Sequence, residues 1–388
     1  MPSDRHYMRR ALSLAQRGYG HTSPNPLVGA VLVKGGRVIG QGWHHQAGQP
    51  HAEIEALHDA RRRKNDPRNA TLYVTLEPCC THGRTPPCTE AIIHAGIRTV
   101  VVGATDPNPQ HCGKAFSILK RAGITVRHGV LRQECERLNE SFNHWIVHGT
   151  PWVIVKAAMT LDGKIATAAG ESKWITSPQS RAYATRLRLG ADAILVGINT
   201  ILADDPALTF RPVNMRSSQT APVKQLRRII LDSQARTPLD AQLITDDHRS
   251  LTTIVVTKAA PQSRVSRLAK RVRVLVAPAE RGTSSPGARS SSVRLPWLLK
   301  TLGAEAVTSL LVEGGGEVNA SFLLAALAHR VAFFYAPKVL GGADSRKTVA
   351  GAGTRRIEEA LALRDVEWRR LGPDWLLEAI VAQRPNAP

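Results

Sequence analysis

His51-Ala52-Glu53, followed by Pro78-Cys79 and then Cys88, sets the ends of the elements in the first half of the chain around one metal site. One imidazole and two thiolates suit zinc, and three ligands leave the fourth tetrahedral position open to water. Glu53 stands two residues from His51, near enough to reach that water without occupying the metal. Eight residues, Cys80 to Pro87, separate the two cysteines where Cys-x-x-Cys is the common spacing. That insert carries Gly83, Pro86 and Pro87 and is turn material. It can fold out and return Cys88 at the start of a helix over Thr89 to Ala95. Cys80 is the rival ligand, disfavoured because adjacent cysteines strain around one tetrahedral ion. A closed structural zinc completed by His82 or Cys80 is the competing reading. The Glu53 offset and the proline before Cys79 favour a catalytic ion.

Working outward, apolar positions at helical spacing (Met8, Leu12, Leu14, Ala15) predict a helix from residue 4 that stops at Gly18. A loop, Thr22-Ser23-Pro24-Asn25-Pro26, leads to a strand Val28 to Val33. Lys34-Gly35-Gly36-Arg37 turns the chain into a second strand, Val38 to Gly42. A helix begins near His51, and a strand Thr71 to Leu76 delivers Cys79. Further strands are expected at Thr99 to Gly103 and Ile124 to Arg127, with a helix Ala115 to Ala122 between them. Strands alternating with helices predict a mixed, three-layer α/β/α domain.

The 388 residues are too many for one ordinary core, so two domains are expected. Glu134 to His148 reads as a polar connector and Pro151 marks the break, giving domains 1–148 and 149–388. The pattern then restarts: strand Val153 to Ala158, helix Pro178 to Leu189 and strand Ala193 to Gly197. A polar turn spans Ala203 to Thr209. Strands recur at Arg228 to Asp232, Thr253 to Thr257, Val272 to Val276 and Ser309 to Glu313. The Ser-, Gly- and Arg-rich stretch Glu280 to Ser292 reads as a surface loop. Gly314-Gly315-Gly316 sits between the last strand and a helix, Val318 to Leu327. A strand, small residues and a helix N-terminus together offer free amides and a favourable dipole to a phosphate.

The net charge is +21. That suits a nucleic acid or a phosphorylated small molecule. The basic residues are scattered, however, and the tightest run, Arg61-Arg62-Arg63-Lys64, is interrupted by Asn65-Asp66-Pro67. Aromatic content of 5% supplies a base-stacking platform poorly. The charge is therefore read mostly as solvated surface. No apolar run is long enough to span a bilayer, the N-terminal residues show no signal-peptide core, and five cysteines do not form a paired framework. The cytoplasm is the expected compartment.

The His-x-Glu…Pro-Cys…Cys pattern resembles that of zinc deaminases, in which the metal activates water and the glutamate shuttles protons. The likeness sharpens with Thr22-Ser23-Pro24-Asn25-Pro26-Leu27-Val28-Gly29-Ala30, Gly42-Trp43-His44, Leu76-Glu77-Pro78-Cys79, Gly83-Arg84-Thr85-Pro86-Pro87-Cys88 and Asp106-Pro107-Asn108-Pro109. In the second half it continues with Lys156…Leu161-Asp162-Gly163-Lys164, Ser172…Trp174-Ile175, Asn199-Thr200…Ala203-Asp204-Asp205-Pro206 and Glu313-Gly314-Gly315-Gly316. These motifs, spread over almost the whole chain, are similar to the bifunctional deaminase–reductase family of riboflavin biosynthesis.

The resemblance implies a cytidine-deaminase-like α/β/α domain followed by a dihydrofolate-reductase-like α/β domain. It implies Zn2+ on His51, Cys79 and Cys88, with Glu53 catalytic. Asn25, His44, Arg84, Asp106 and Asn108 are expected on the substrate, a phosphorylated pyrimidine. In the reductase half, Ala158, Trp174, Thr200, Asp204, Ser233 and the run Gly315, Gly316, Glu317, Val318, Asn319, Ala320, Ser321 are expected on NADPH. Ser172, Arg188, Leu208, Arg211 and Glu313 are expected on that half's substrate. A homo-oligomer is expected, with neither nucleic acid nor membrane as partner. The chain departs from the family pattern in carrying Cys80-Thr81 for Ser-His, Glu55, Ala115, Thr160 and Ala328-His329-Arg330.

Overall fold

The computed structural model describes residues 3–81, 86–210, 225–281 and 291–382. Arg84 and Arg211, the rival ligand His82 and residues 282–290 of the Ser- and Gly-rich stretch therefore lie outside the described residues. The chain divides into two compact units, Met1–Gly149 and Thr150–Pro388.

In the first unit, α1 (Asp4–Ala15) buries Tyr7, Met8, Ala11 and Leu14 and closes in a single 3-10 turn ending at Gly18. The hairpin of β1 (Gly29–Lys34) and β2 (Arg37–Trp43) turns at Gly35 and Gly36, with φ of +57° and +75°. Two consecutive left-handed residues match the twist of the strands, and glycine adopts them without a steric penalty. Then come α2 (Ala52–Arg62), β3 (Thr71–Leu76), α3 (Cys88–His94), β4 (Thr99–Ala104), α4 (Lys114–Arg121) and β5 (Thr125–His128). The sheet order is β2-β1-β3-β4-β5. β1 is antiparallel to both its neighbours, and β3, β4 and β5 are parallel.

Side chains alternate between two cores. Ala30, Leu32, Leu72, Val74, Val100 and Val102 face one shared with α2 and α3. Val31, Val33, Tyr73 and Val101 face the other, shared with α1. A sheet buried on both faces needs helices on both sides, so the expected three layers follow from its near-continuous apolar strands. The expected polar connector is instead helical: α5 (Arg132–Leu138) and α6 (Glu140–His148). Cys135 of α5 is buried so closely against Gly103 that a Cβ there would strike its sulfur. Tertiary packing thus forms a helix where the local pattern is weak.

The second unit opens with β6 (Trp152–Thr160), β7 (Lys164–Ala166), α7 (Pro178–Gly190), β8 (Ala193–Gly197) and α8 (Ile198–Asp204). It continues through β9 (Arg227–Leu231), α9 (Gln242–Thr245), β10 (Thr252–Thr257), α10 (Gln262–Ala269) and β11 (Arg273–Ala277). After the small pair β12 (Ala279–Arg281) and β13 (Ser291–Val293) come α11 (Leu295–Ala304), β14 (Ser309–Val312) and α12 (Gly316–Leu324). Beyond Leu327, where the pattern reading ends, the structure adds β15 (Arg330–Ala336), β16 (Arg346–Lys347), β17 (Leu363–Leu371) and β18 (Asp374–Val381). The nine-stranded sheet runs β11-β10-β9-β8-β14-β6-β15-β18-β17. It is parallel from β11 to β15, and β18 and β17 are added antiparallel.

Ala193 and Leu195 face one core and Ile194 and Val196 the other, so helices again cover both faces of the parallel part. The late strand β14 inserts between β8 and β6, which carries the residue after it, Glu313, to the middle of the sheet. Asn199 and Thr200 lie in α8, which continues to Asp204; the turn expected from Ala203 starts later, at Asp205 (φ +36°). Ile198 and Ile201, one helical turn apart, are buried and anchor α8. Among the described residues no helix is long and apolar enough to cross a membrane.

Candidate active sites

His51 caps the N-terminus of α2, Cys79 follows β3, and Cys88 opens α3, so three element ends converge on one point. The His51 Nδ1 atom lies 3.5 Å from Cys79 Sγ and 3.3 Å from Cys88 Sγ. A tetrahedral ion with ordinary Zn–N and Zn–S bonds sets those atoms about 3.6 Å apart. The donor set and its spacing therefore fit zinc. Among the described residues it is the one group of three or more such side chains drawn together in this way. A hydrogen bond from the Cys88 thiol helps pull the Cys79 thiol down to about 4, and the His51 imidazole adds to the effect. Cys88 is correspondingly pushed up. One sulfur is thus held ready as a thiolate. Cys80 stays outside the cluster, its Sγ lying 3.7 Å from Nδ1 of His111.

Glu53, in the first turn of α2, is 3% exposed. Burial, reinforced by the Cys79 charge, pushes its carboxyl up to about 7. A carboxyl poised near neutrality both takes and returns a proton. His44, also buried, donates from Nδ1 to the Pro50 carbonyl at 3.1 Å. Burial first, and His51 beside it, lower its pKa. The ring is therefore neutral, and Nε2 accepts from the Asn25 amide nitrogen at 3.1 Å. That bond leaves the Asn25 carbonyl oxygen to meet a donor on a ligand.

Asp106 accepts the Asn108 amide at 2.9 Å and Asn108 accepts the Gln110 amide at 3.0 Å, successive side-chain turns that shape the loop before α4. Sequence reasoning quoted Glu77 within a motif and assigned it no part in the site. Its carboxylate accepts the amides of Asp106, Gly113 and Ala115 at 3.2, 3.0 and 3.1 Å and so braces both ends of that loop. Its place directly after a strand and two residues before a metal ligand was the available signal. Of the family departures here, Ala115 keeps the backbone amide that Glu77 grips, and Glu55 pairs with His45 at 3.9 Å.

In the second unit, Arg188 of α7, Lys156 of β6 and Glu313 meet. Arg188 donates to both Glu313 oxygens, and Lys156 Nζ lies 3.5 Å from one of them. Burial raises the Glu313 pKa, but Lys156 and Arg188 outweigh it and hold the carboxyl at about 2. Lys156 was quoted in a motif and given no role. Ser172 and Lys173 both reach Asp204, at 3.5 and 3.6 Å. Trp174 is 66% exposed, with the Arg181 guanidinium 4.5 Å from its ring centre. Thr200 is half-buried on α8, and Ala158 shares a face of β6 with Lys156. The Ser233 carbonyl is engaged by the Thr257 hydroxyl.

The glycine triplet divides its labour. A Cβ on Gly314 would press on Val318 and one on Gly316 on the Lys347 carbonyl, whereas Gly315 faces open space. Gly315 caps α12 and offers the cradle that a phosphate-bearing cofactor needs. Glu317 is exposed, and Ser321 spends its hydroxyl on the Glu317 carbonyl at 2.8 Å.

At three expected contacts the side chain is buried, leaving the backbone to face a ligand. Leu208, with φ of +50°, packs its side chain in the core and has only backbone to offer a substrate. Asn319 is fully buried, donating to the Thr348 carbonyl at 2.9 Å, and Ala320 is buried beside it. The Asn319 side chain holds the segment around Thr348. The departure at His329 is structural: its Nδ1 accepts the Val153 amide at 2.9 Å and its ring stacks on Trp152. Thr160 keeps a hydroxyl, which donates to Asp162 at 2.6 Å.

Residues 1–104 match the family model for the cytidine and deoxycytidylate deaminase zinc-binding region, and residues 151–377 that for the RibD C-terminal domain. Fold and site together define a bifunctional zinc deaminase and NADPH-dependent reductase. The chain is 42% identical to the riboflavin biosynthesis protein RibD of Actinobacillus pleuropneumoniae, over 98% of this chain and 96% of that one. It is 43% identical to the RibD of Aquifex aeolicus, over 96% and 97%. The solved RibD of Acinetobacter baumannii superimposes with a TM-score of 0.83 at 35% identity, covering 98% of this chain and 99% of that one. The deaminase/reductase of Thermotoga maritima does so at 0.78 and 33%, with the same coverage. The chain belongs to the RibD family of riboflavin biosynthesis enzymes.

Proposed function

We propose that the chain deaminates 2,5-diamino-6-ribosylamino-4(3H)-pyrimidinone 5′-phosphate in a unit spanning residues 1–148. Residues 149–388 then reduce the ribosyl group of the product to ribityl. The observation that carries this reading is the His51, Cys79 and Cys88 cluster with Glu53 buried against it. Zinc on those three residues supplies an activated water. Glu53 takes a proton from the attacking water onto its carboxylate and delivers it to the ring nitrogen. It then takes the second proton from the new hydroxyl and passes it to the amino group, which leaves as ammonia. His44 and Asn25 orient the pyrimidine, the imidazole fixing the amide so that its carbonyl oxygen meets a ring donor. Asp106, Asn108 and Arg84 hold the ribose phosphate, the guanidinium taking the phosphate and the carboxylate the sugar.

NADPH, when bound, supplies hydride. Gly315 and the amides at the start of α12, with Ala158, Trp174, Thr200, Asp204 and Ser233, form its cradle. Glu313, set by Arg188 and Lys156, positions the substrate with Ser172 and Arg211, so the acceptor carbon stays in register. The balance is one ammonia released and one NADPH oxidised per turnover.

A homo-oligomer in the cytoplasm belongs to the same reading. The outermost strand β17 exposes Val366 and Trp368, and Trp375 of β18 is exposed beside it, an apolar edge suited to a second copy. The test is a paired assay on the zinc-loaded protein, following ammonia release and NADPH oxidation together. Ammonia first and NADPH loss second supports the assignment; neither signal overturns it.

A further inference from the structure

His111 belongs to the loop between β4 and α4, whose course is set by side chains on both sides. Glu77 takes the amides of Asp106 and Gly113, and the Asn108 carbonyl accepts those of His111 and Cys112, each at 2.9 Å. The backbone beneath His111 is therefore pinned. Its Nδ1 lies 3.7 Å from the sulfur of Cys80, which directly follows the zinc-cluster residue Cys79. The Asp106 carboxylate interacts electrostatically with both His111 and Cys79. Cys80, Asp106 and His111 are thus neighbours beside the zinc cluster. The imidazole is half-buried, and among the described residues Nε2 has no hydrogen-bond partner.

We propose that His111 is a substrate-contacting residue of the deaminase, donating from Nε2 to a ribose hydroxyl; this rests on the reading given above. The neighbouring carboxylate selects the ligand. Asp106 disfavours a phosphate dianion at that spot. A hydroxyl, by contrast, donates to the carboxylate and accepts from the imidazole at once, so the two bonds reinforce each other.

The test is ammonia release by the zinc-loaded full chain carrying His111→Ala or His111→Gln, with zinc content measured on each. The alanine variant is expected to raise KM about threefold to tenfold, the worth of one neutral hydrogen bond, with kcat nearly unchanged. Glutamine, which keeps an N–H at similar reach, is expected to recover most of the loss. On an analogue lacking the ribose hydroxyls, the difference between wild type and the alanine variant should vanish. An unchanged KM, an equal penalty on the deoxy analogue, or zinc loss from both variants would overturn the proposal. A wild-type chain that releases no ammonia instead overturns the underlying functional reading.

Discussion

Arg188 and Glu313, 125 positions apart in the chain, form a two-pronged pair in which Nε and Nη2 of the guanidinium each reach a separate carboxylate oxygen at 2.9 Å. Arg188 also donates to the Thr209 carbonyl at 3.2 Å. A lysine keeps the charge and loses the fork. Arg188→Lys is therefore expected to lower reductase kcat/KM about tenfold to a hundredfold, the range for charge-assisted bonds. Ammonia release should stay at the wild-type rate, and following both products in one assay checks it.

The same pair makes the second unit acid-sensitive. The folded pKa of Glu313, about 2, lies below its ordinary 4.5. A depressed carboxylate contributes stability above the ordinary value and loses it as pH falls from about 4.5 toward 2. Urea unfolding of the second unit at pH 6 and pH 3 is expected to show this fall in wild type. It should be smaller in Glu313→Gln, which has no charge to lose.

Glu53→Gln retains the shape of the side chain and removes its proton transfer. Ammonia release is expected to fall by at least about a hundredfold. Bound zinc should remain stoichiometric, because Glu53 is not in the ligand cluster. Reduction of pre-deaminated substrate should continue.

Cys88→Ser should lose zinc, and a strong chelator should do the same to wild type. Zinc binds the folded state in preference to the unfolded one, so both treatments are expected to lower the melting temperature of the first unit and abolish ammonia release. Metal analysis alongside calorimetry checks it, with NADPH oxidation on pre-deaminated substrate as the untouched control.

Neighbouring glycines should separate binding from folding. Gly315→Ala places its methyl in open space, so the protein is expected to fold normally and show a raised KM for NADPH. Gly316→Ala drives its methyl into the Lys347 carbonyl and should cost the second unit stability at any NADPH concentration. Thermal melts of the two variants without cofactor discriminate them.

The deaminase centre was legible because its chemistry is local. His51, Glu53, Cys79 and Cys88 sit at the ends of elements with clear periodicity, and zinc demands those residue types. The strands of the first sheet, and β6, β8, β9, β10, β11 and β14 of the second, read out for a similar reason: each is short, apolar and bounded by turn residues. Residue identity and spacing along the chain likewise carried the two-unit plan and the glycine triplet ahead of a helix.

Tertiary structure alone decided the rest. Glu313 meets Lys156 because β14 slots between β8 and β6, a strand order that no local pattern encodes. At Leu208, Asn319 and Ala320 packing turned the side chains inward, which motif spacing does not reveal. The segment of α5 reads as polar, and its one buried residue, Cys135, packs against Gly103, a contact the local pattern does not show. Glu77 grips the loop before α4, and His111 meets Cys80, only in the folded chain, since a hydrogen bond between distant residues leaves no periodicity to read.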